Sequence, residues 1–216
     1  MSTASAGSAG PGPHLLRTRV VAILRGHDGT HLAATIDALV GAGITCLEIT
    51  TNTPDAFATV TATRERYGDG VEVGVGTTRT PEHVRAAAAA GAQFVVSPGT
   101  SPAVATAAHD AGLRWYPGAF TATEAETAWG LGAAAVKLFP ASLGGPRYLR
   151  ELRAPLDDVP FVPTGGVALD QIGEYLAAGA VAVGLGSPLL GDALRGGSLD
   201  DLAGRAAAAL AAGPGS

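Results

Sequence analysis

Short apolar runs recur along the chain, and an Ala- and Leu-rich stretch of helix formers follows each one. The runs are "VVAILRG" (20–26), "CLEIT" (46–50), "VEVGVGT" (71–77), "FVVSPG" (94–99), "LRWYPGA" (113–119), "AVKLFPA" (135–141), "FVPTGG" (161–166) and "AVAVGLGS" (180–187). The intervening stretches, 31–43, 54–67, 81–91, 101–112, 122–132, 146–153, 169–178 and 198–212, predict helices. Several open on start signals: Thr80-Pro81-Glu82, Ser101-Pro102 and Thr121-Ala122-Thr123-Glu124. Strand runs that are apolar on both faces predict a parallel sheet covered by helices. Eight alternations predict a closed (β/α)8 TIM barrel, because open doubly wound sheets usually stop at five or six strands. The repeat of about 24 residues makes it a compact one.

The 216 residues suit a single domain with a sizeable core. The N-terminal "MSTASAGSAGPGP" (1–13) is expected to be a flexible tail rather than a secretory signal, and 213–216 likewise, leaving the barrel in 14–212. Hydrophobic content of 47%, charged content of 15% and a net charge of −5 describe a folded, soluble chain. Without clustered basic charge, neither nucleic acid nor an anionic membrane is an expected partner. No apolar stretch is long enough to predict a membrane span. Cys46 is the only cysteine, so no internal disulfide forms, and a cytoplasmic location is expected.

Charge use is uneven in a second way. Of 14 basic residues 13 are arginines, and the one lysine, Lys137, stands inside the apolar run "AVKLFPA". A strand lysine often packs its stem and sends its ammonium to water. Here arginine serves wherever positive charge alone suffices, and arginine cannot act as an amine nucleophile. An unperturbed lysine is neutral in only about 1 molecule in 2,500 at pH 7. An apolar setting disfavours the charged form and suits Schiff-base chemistry on a carbonyl substrate. Glu48 is the corresponding carboxylate of "CLEIT". It is either a structural partner for an arginine or a proton-transfer group. Runs two and six are both even-numbered, and alternate strands of a barrel share interior layers, so Glu48 and Lys137 are expected to meet.

In such barrels the site lies at the C-terminal strand ends. The other polar residues there are Arg25, Thr77, Thr164 and Ser187. Arg25, Thr77 and Thr164, with Phe139, are candidates to line a substrate site. Arg25 alternatively pairs with Glu48. The turns "PTGGV" and "GLGS" end runs seven and eight, where barrels often bind phosphate through backbone amides. Gly165, Gly166, Gly186 and Ser187 are the candidates. His27 and His31 have i, i+4 spacing but no third ligand is apparent, so no metal is expected. "VGVGT" lacks the remainder of a dinucleotide fingerprint.

From about residue 20 to 205 the chain resembles the class I aldolases of the 2-keto-3-deoxy-6-phosphogluconate (KDPG) / 4-hydroxy-2-oxoglutarate (KHG) family. The resemblance rests on "EIT" with "PDA" (48–56), "VGVGT" with "TPE" (73–82), "VSPGTSP" (96–102), "YPGAFTATEA" (116–125), "VKLFPAS" (136–142), "FVPTGGV" (161–167) and "VGLGS" (183–187). It implies a cytoplasmic homotrimeric barrel that uses no metal or other cofactor and cleaves KDPG to pyruvate and glyceraldehyde 3-phosphate. Lys137 matches the Schiff-base lysine and Glu48 the proton shuttle. Thr77 matches a residue near the pyruvate carboxylate, and Gly165, Gly166 and Ser187 match the phosphate site. Asn52 stands where many KDPG members have a carboxylate-binding arginine. Members resembling the phosphogalactonate-cleaving branch share that asparagine and an "AILRG" first strand, which points to Arg25; "FVPTGGV" resembles the phosphogluconate branch. The 6-phosphogalactonate epimer and KHG are therefore alternative substrates. A phosphate-binding isomerase or synthase and a non-catalytic trimeric scaffold remain as readings from other classes.

Overall fold

The computed structural model of the chain describes residues 10–213, so the expected tails lie outside it for 1–9 and 214–216. All eight apolar runs contain strands: β1 (Val20–Leu24), β2 (Cys46–Thr50), β3 (Glu72–Gly76), β4 (Phe94–Val96), β5 (Arg114–Tyr116) with β6 (Gly118–Ala119), β7 (Val136–Leu138), β8 (Phe161–Pro163) and β9 (Val183–Leu185). There are nine segments rather than eight because Pro117 splits the fifth run. Proline has no N–H to give to a sheet ladder.

Every strand pair is parallel. Six strands form a half-barrel sheet in the order β5-β4-β3-β2-β1-β9, and three form a second sheet, β6-β7-β8. A parallel bridge between Thr164 and Gly184 links β8 to β9. On the other side the Lys137 N–H donates to the Pro117 carbonyl at 2.8 Å.

The predicted helices appear as α2 (Leu32–Gly41), α3 (Ala56–Tyr67), α4 (Pro81–Ala89), α5 (Pro102–Asp110), α6 (Ala122–Gly130), α7 (Gly145–Arg153), α8 (Ile172–Ala177) and α10 (Leu199–Ala211). Two short helices were not predicted, α1 (Pro13–Thr18) and α9 (Ser187–Leu190). The start signals work as read in two of three cases. Thr80 accepts from the His83 N–H, and Thr121 and Glu124 form a reciprocal capping box. Ser101 makes no capping bond, and Pro102 alone marks the start of α5.

Successive strand residues point to opposite sides. One set, including Leu24, Leu47, Ile49, Val75, Val136 and Leu138, packs under the helices. The other, including Val21, Cys46, Phe94, Val96, Tyr116 and Val162, forms a separate interior cluster with Leu15 of α1. Helix α1 is tied to the N-terminal strand ends. The Gly12 N–H donates to the Tyr116 hydroxyl at 2.9 Å, and the His14 N–H donates to Glu72 Oε2 at 3.2 Å. Glu72 also pairs with Arg114 at 3.3 Å. No helix among the described residues is long and apolar enough to cross a membrane.

Candidate active site

The period of two that builds the interior also aims the chemistry. Cys46 faces inward on β2, so Glu48 does as well. Lys137 is the inward residue of β7, between Val136 and Leu138, which face the helices. The two side chains meet: Lys137 Nζ lies 3.9 Å from Glu48 Oε1. Both are buried, at 8% and 1% relative exposure. Glu48 Oε1 has no hydrogen-bond partner among the described residues. Glu48 and Lys137 both line a mostly apolar cavity of about 20 Å³, with Val21, Cys46, Phe94, Tyr116, Val162 and Thr164 among its other walls. That volume is about the size of one water-sized group.

Glycines on neighbouring strands make room for this arrangement. A Cβ on Gly76 would overlap the Glu48 carboxylate, one on Gly74 would overlap the Phe94 ring, and one on Gly184 would overlap the Thr164 hydroxyl. In "VGVG" the glycines thus accommodate interior side chains, a role that a nucleotide-turn comparison does not suggest. They are the functional positions the sequence reasoning missed; an alternating Val-Gly pattern in a strand paired with "CLEIT" was the available signal.

The remaining predicted residues cluster just past the strand ends. Arg25 is the first residue beyond β1, Thr77 beyond β3 and Thr164 beyond β8, whereas the sequence pattern put Arg25 inside its strand. Arg25 Nη1 donates to Asn52 Oδ1 at 3.3 Å, and Nη2 donates to Thr77 Oγ1 at 3.1 Å. No ion pair joins Arg25 to Glu48 among the described residues; the pairing is with Asn52 and Thr77. Thr77 has a left-handed backbone (φ 59°), which is costly for a β-branched residue. Its carbonyl accepts from the Thr51 hydroxyl at 3.0 Å, which helps to hold the turn. Phe139 is 41% exposed, and its ring centroid is 5.4 Å from Lys137 Nζ. Phe139 therefore forms a rim beside the lysine rather than burying it.

A second, outer cavity of about 420 Å³ is lined by Ile23, Arg25, Asn52, Gly186 and Ser187, among others. Val21 lines the inner cavity and Ile23 the outer, so the two follow one another along β1. Gly165 and Gly166 do not line it. They pack close to the Phe139 ring and the Ser142 side chain, where a Cβ would lie 2.8 Å and 2.6 Å away. The four phosphate candidates thus divide into a pair facing the cavity and a pair behind Phe139 and Ser142.

Two interior groups have shifted titrations. Burial, then the charges of Glu72 and Glu48, pushes the Cys46 thiol well above its ordinary range. Burial thus favours the neutral thiol over the thiolate at Cys46. Burial, then Glu72, also raises the Tyr116 phenol. Among the described residues, no group of three His, Cys, Asp or Glu is gathered to hold a metal, and His27 and His31 bring no third ligand together.

A parallel β/α scaffold that buries a lone lysine beside a carboxylate suits enzyme chemistry on small carbonyl compounds. The KDPG and KHG aldolase family model matches residues 13–203, and the chain belongs to that family. It is 42% identical to 2-dehydro-3-deoxy-phosphogluconate aldolase of Treponema pallidum, over 76% of this chain and 78% of that one. It is 38% identical to 2-dehydro-3-deoxy-6-phosphogalactonate aldolase of Escherichia coli, over 79% of this chain and 83% of that one. Among solved structures it resembles KDPG aldolase from Legionella pneumophila with pyruvate captured at low pH as a covalent carbinolamine intermediate. That match has a TM-score of 0.82 at 26% identity and covers 90% of this chain and 95% of that one.

Proposed function

We propose that the protein is a class I pyruvate aldolase that cleaves KDPG to pyruvate and glyceraldehyde 3-phosphate through a Schiff base on Lys137. The observation that carries this reading is the chain's one lysine, buried and 3.9 Å from a buried glutamate. Lys137 attacks the C2 carbonyl as the neutral amine. Glu48, directly or through one water, supplies and removes the protons that turn the carbinolamine into an iminium ion. The C3–C4 bond breaks with its electrons flowing into the iminium. Glu48 accepts the C4 hydroxyl proton as the aldehyde forms and returns it to C3 of the enamine. Water then hydrolyses the iminium and releases pyruvate. The chemistry draws on Lys137 and Glu48 alone and uses no metal or organic cofactor.

Arg25 holds the substrate carboxylate in this reading, with Thr77, Thr164 and Phe139 around the pyruvate portion. A buried carboxylate needs a cationic partner, and a guanidinium fork suits it. Arg25→Lys replaces two directed bonds by one point charge. Pyruvate inhibition and kcat/KM should both weaken by more than about tenfold, while the pH optimum holds. A shifted acidic limb with unchanged pyruvate affinity would assign Arg25 to Glu48 instead. Gly165, Gly166, Gly186 and Ser187 hold the distal phosphate in this reading, Gly186 and Ser187 from the wall of the outer cavity.

The Arg25–Asn52 hydrogen bond favours a second reading, the 6-phosphogalactonate epimer, because that branch shares both residues. A coupled pyruvate assay with KDPG, its galactonate epimer and KHG tests both. Cleavage of a phosphorylated epimer at least tenfold faster, in kcat/KM, than KHG is expected; preference for KHG would overturn the phosphosugar assignment. The working unit is a closed (β/α)8 barrel, supported by the Thr164–Gly184 bridge and the continuity through Pro117, and it assembles as a homotrimer in the cytoplasm.

A further inference from the structure

The outer cavity has a feature that the phosphate candidates do not explain. Besides Arg25 it is lined by His27 and Arg195, and no carboxylate lines it. His27 follows Gly26 in the β1–α2 loop, and Arg195 closes a 3-10 turn (Ala193–Arg195) beyond α9. The two segments are packed together. A Cβ on Gly26 would lie 3.9 Å from Leu194 Cδ1, and one on Gly196 would lie 3.2 Å from the His31 ring. Arg25 is already held by Asn52 and Thr77. The His27 and Arg195 side chains make no hydrogen bond or ion pair among the described residues. Asp28, next to His27, is engaged by the Thr30 N–H at 2.9 Å and does not line the cavity.

A phosphate monoester carries close to two negative charges at neutral pH. Ser187 and backbone amides bind its oxygens but neutralise none of that charge. The protein's net charge of −5 opposes an anionic ligand, and cations at the cavity wall would offset that field locally. We infer that Arg195 and His27 form the cationic end of the substrate site, receive the distal phosphate in the cavity that Ser187 also lines, and select phosphorylated over unphosphorylated 2-keto acids. The guanidinium fork matches two phosphate oxygens, and the imidazole supplies an N–H to a third. The inference rests on the aldolase reading for the identity of the substrate, but anion binding itself does not require turnover.

The test uses the full chain, Arg195→Gln, His27→Gln and the double variant. Arg85→Gln, which removes the same charge from the exposed surface of α4, is the control. Inorganic phosphate is titrated calorimetrically, and KM and kcat are measured on the phosphorylated sugar acid and on KHG. Arg195→Gln should weaken phosphate binding and raise KM for the phosphorylated substrate about 10–100-fold, the scale of one charge-assisted hydrogen-bond pair. His27→Gln should do so less, and the KM for KHG should move far less in either. Unchanged phosphate affinity, or equal losses on both substrates, would overturn the inference. If the parent protein cleaved none of the 2-keto acids, the aldolase reading would fall, while the calorimetric arm would still decide whether these residues bind phosphate.

Discussion

Incubation with pyruvate followed by borohydride reduction should add one pyruvate-derived adduct to the protein, on Lys137. Lys137→Arg should lose both the adduct and aldol cleavage, with turnover falling by about 10⁴-fold or more, the scale expected when a covalent nucleophile is removed. Arginine keeps the positive charge and nearly the length of the side chain, but it is never the neutral amine that attacks a carbonyl. The substitution therefore separates charge from nucleophilicity at one buried position. The chain has no second lysine, so only the N-terminal amine can give a background adduct, and peptide mapping distinguishes the two. Intact mass gives the stoichiometry. An unmodified Lys137 at saturating pyruvate would remove the Schiff base from the mechanism, and substantial activity in Lys137→Arg would do the same.

The pattern that makes Lys137 conspicuous also made most of the fold legible. Strands covered on both faces are apolar throughout, and all eight runs hold a strand. Pairs such as Ile23 with Glu48 and Lys137 with Val162 follow from neighbouring parallel strands once the topology is granted. Strand ends were less legible, because a rim residue such as Arg25 continues the run after the ladder has stopped. The break at Pro117 was visible as a proline, but not as two strands. Helix α1 was missed for a different reason. Its sequence is short and unpatterned, and it is held by distant groups, the Tyr116 hydroxyl and the Glu72 carboxylate. The same limit applies to the site. Lys137 and Glu48 stood out as single charges in apolar strands. The partners of Arg25 depend on side-chain direction at three separate loops, which no local pattern encodes.

Glu48→Gln should leave the fold intact and slow turnover by about 10²–10⁴-fold, the usual range for a lost acid–base group. The amide is nearly isosteric with the carboxylate and fills the same space beside Gly76, but it can neither accept nor deliver the protons of carbinolamine dehydration and enamine protonation. The loss should fall on kcat, and pyruvate trapping should slow without being abolished, because Lys137 can still attack. Gly76→Ala tests the same carboxylate without changing its chemistry. A methyl group at Gly76 meets the Glu48 side chain, so the carboxylate must move away from its position 3.9 Å from Lys137 Nζ. Gly76 stands at the end of a buried strand, so some stability is expected to be lost as well, typically 1–3 kcal/mol for overpacking. Rates must therefore be measured on folded protein below its melting transition. Under that condition Gly76→Ala should lower kcat, and adding it to Glu48→Gln should cost little more, since both act on one group. Full additivity would mean that Gly76 acts on something other than Glu48. Activity of Glu48→Gln within a few-fold of the parent would reduce Glu48 to a structural acid and leave proton transfer to another group.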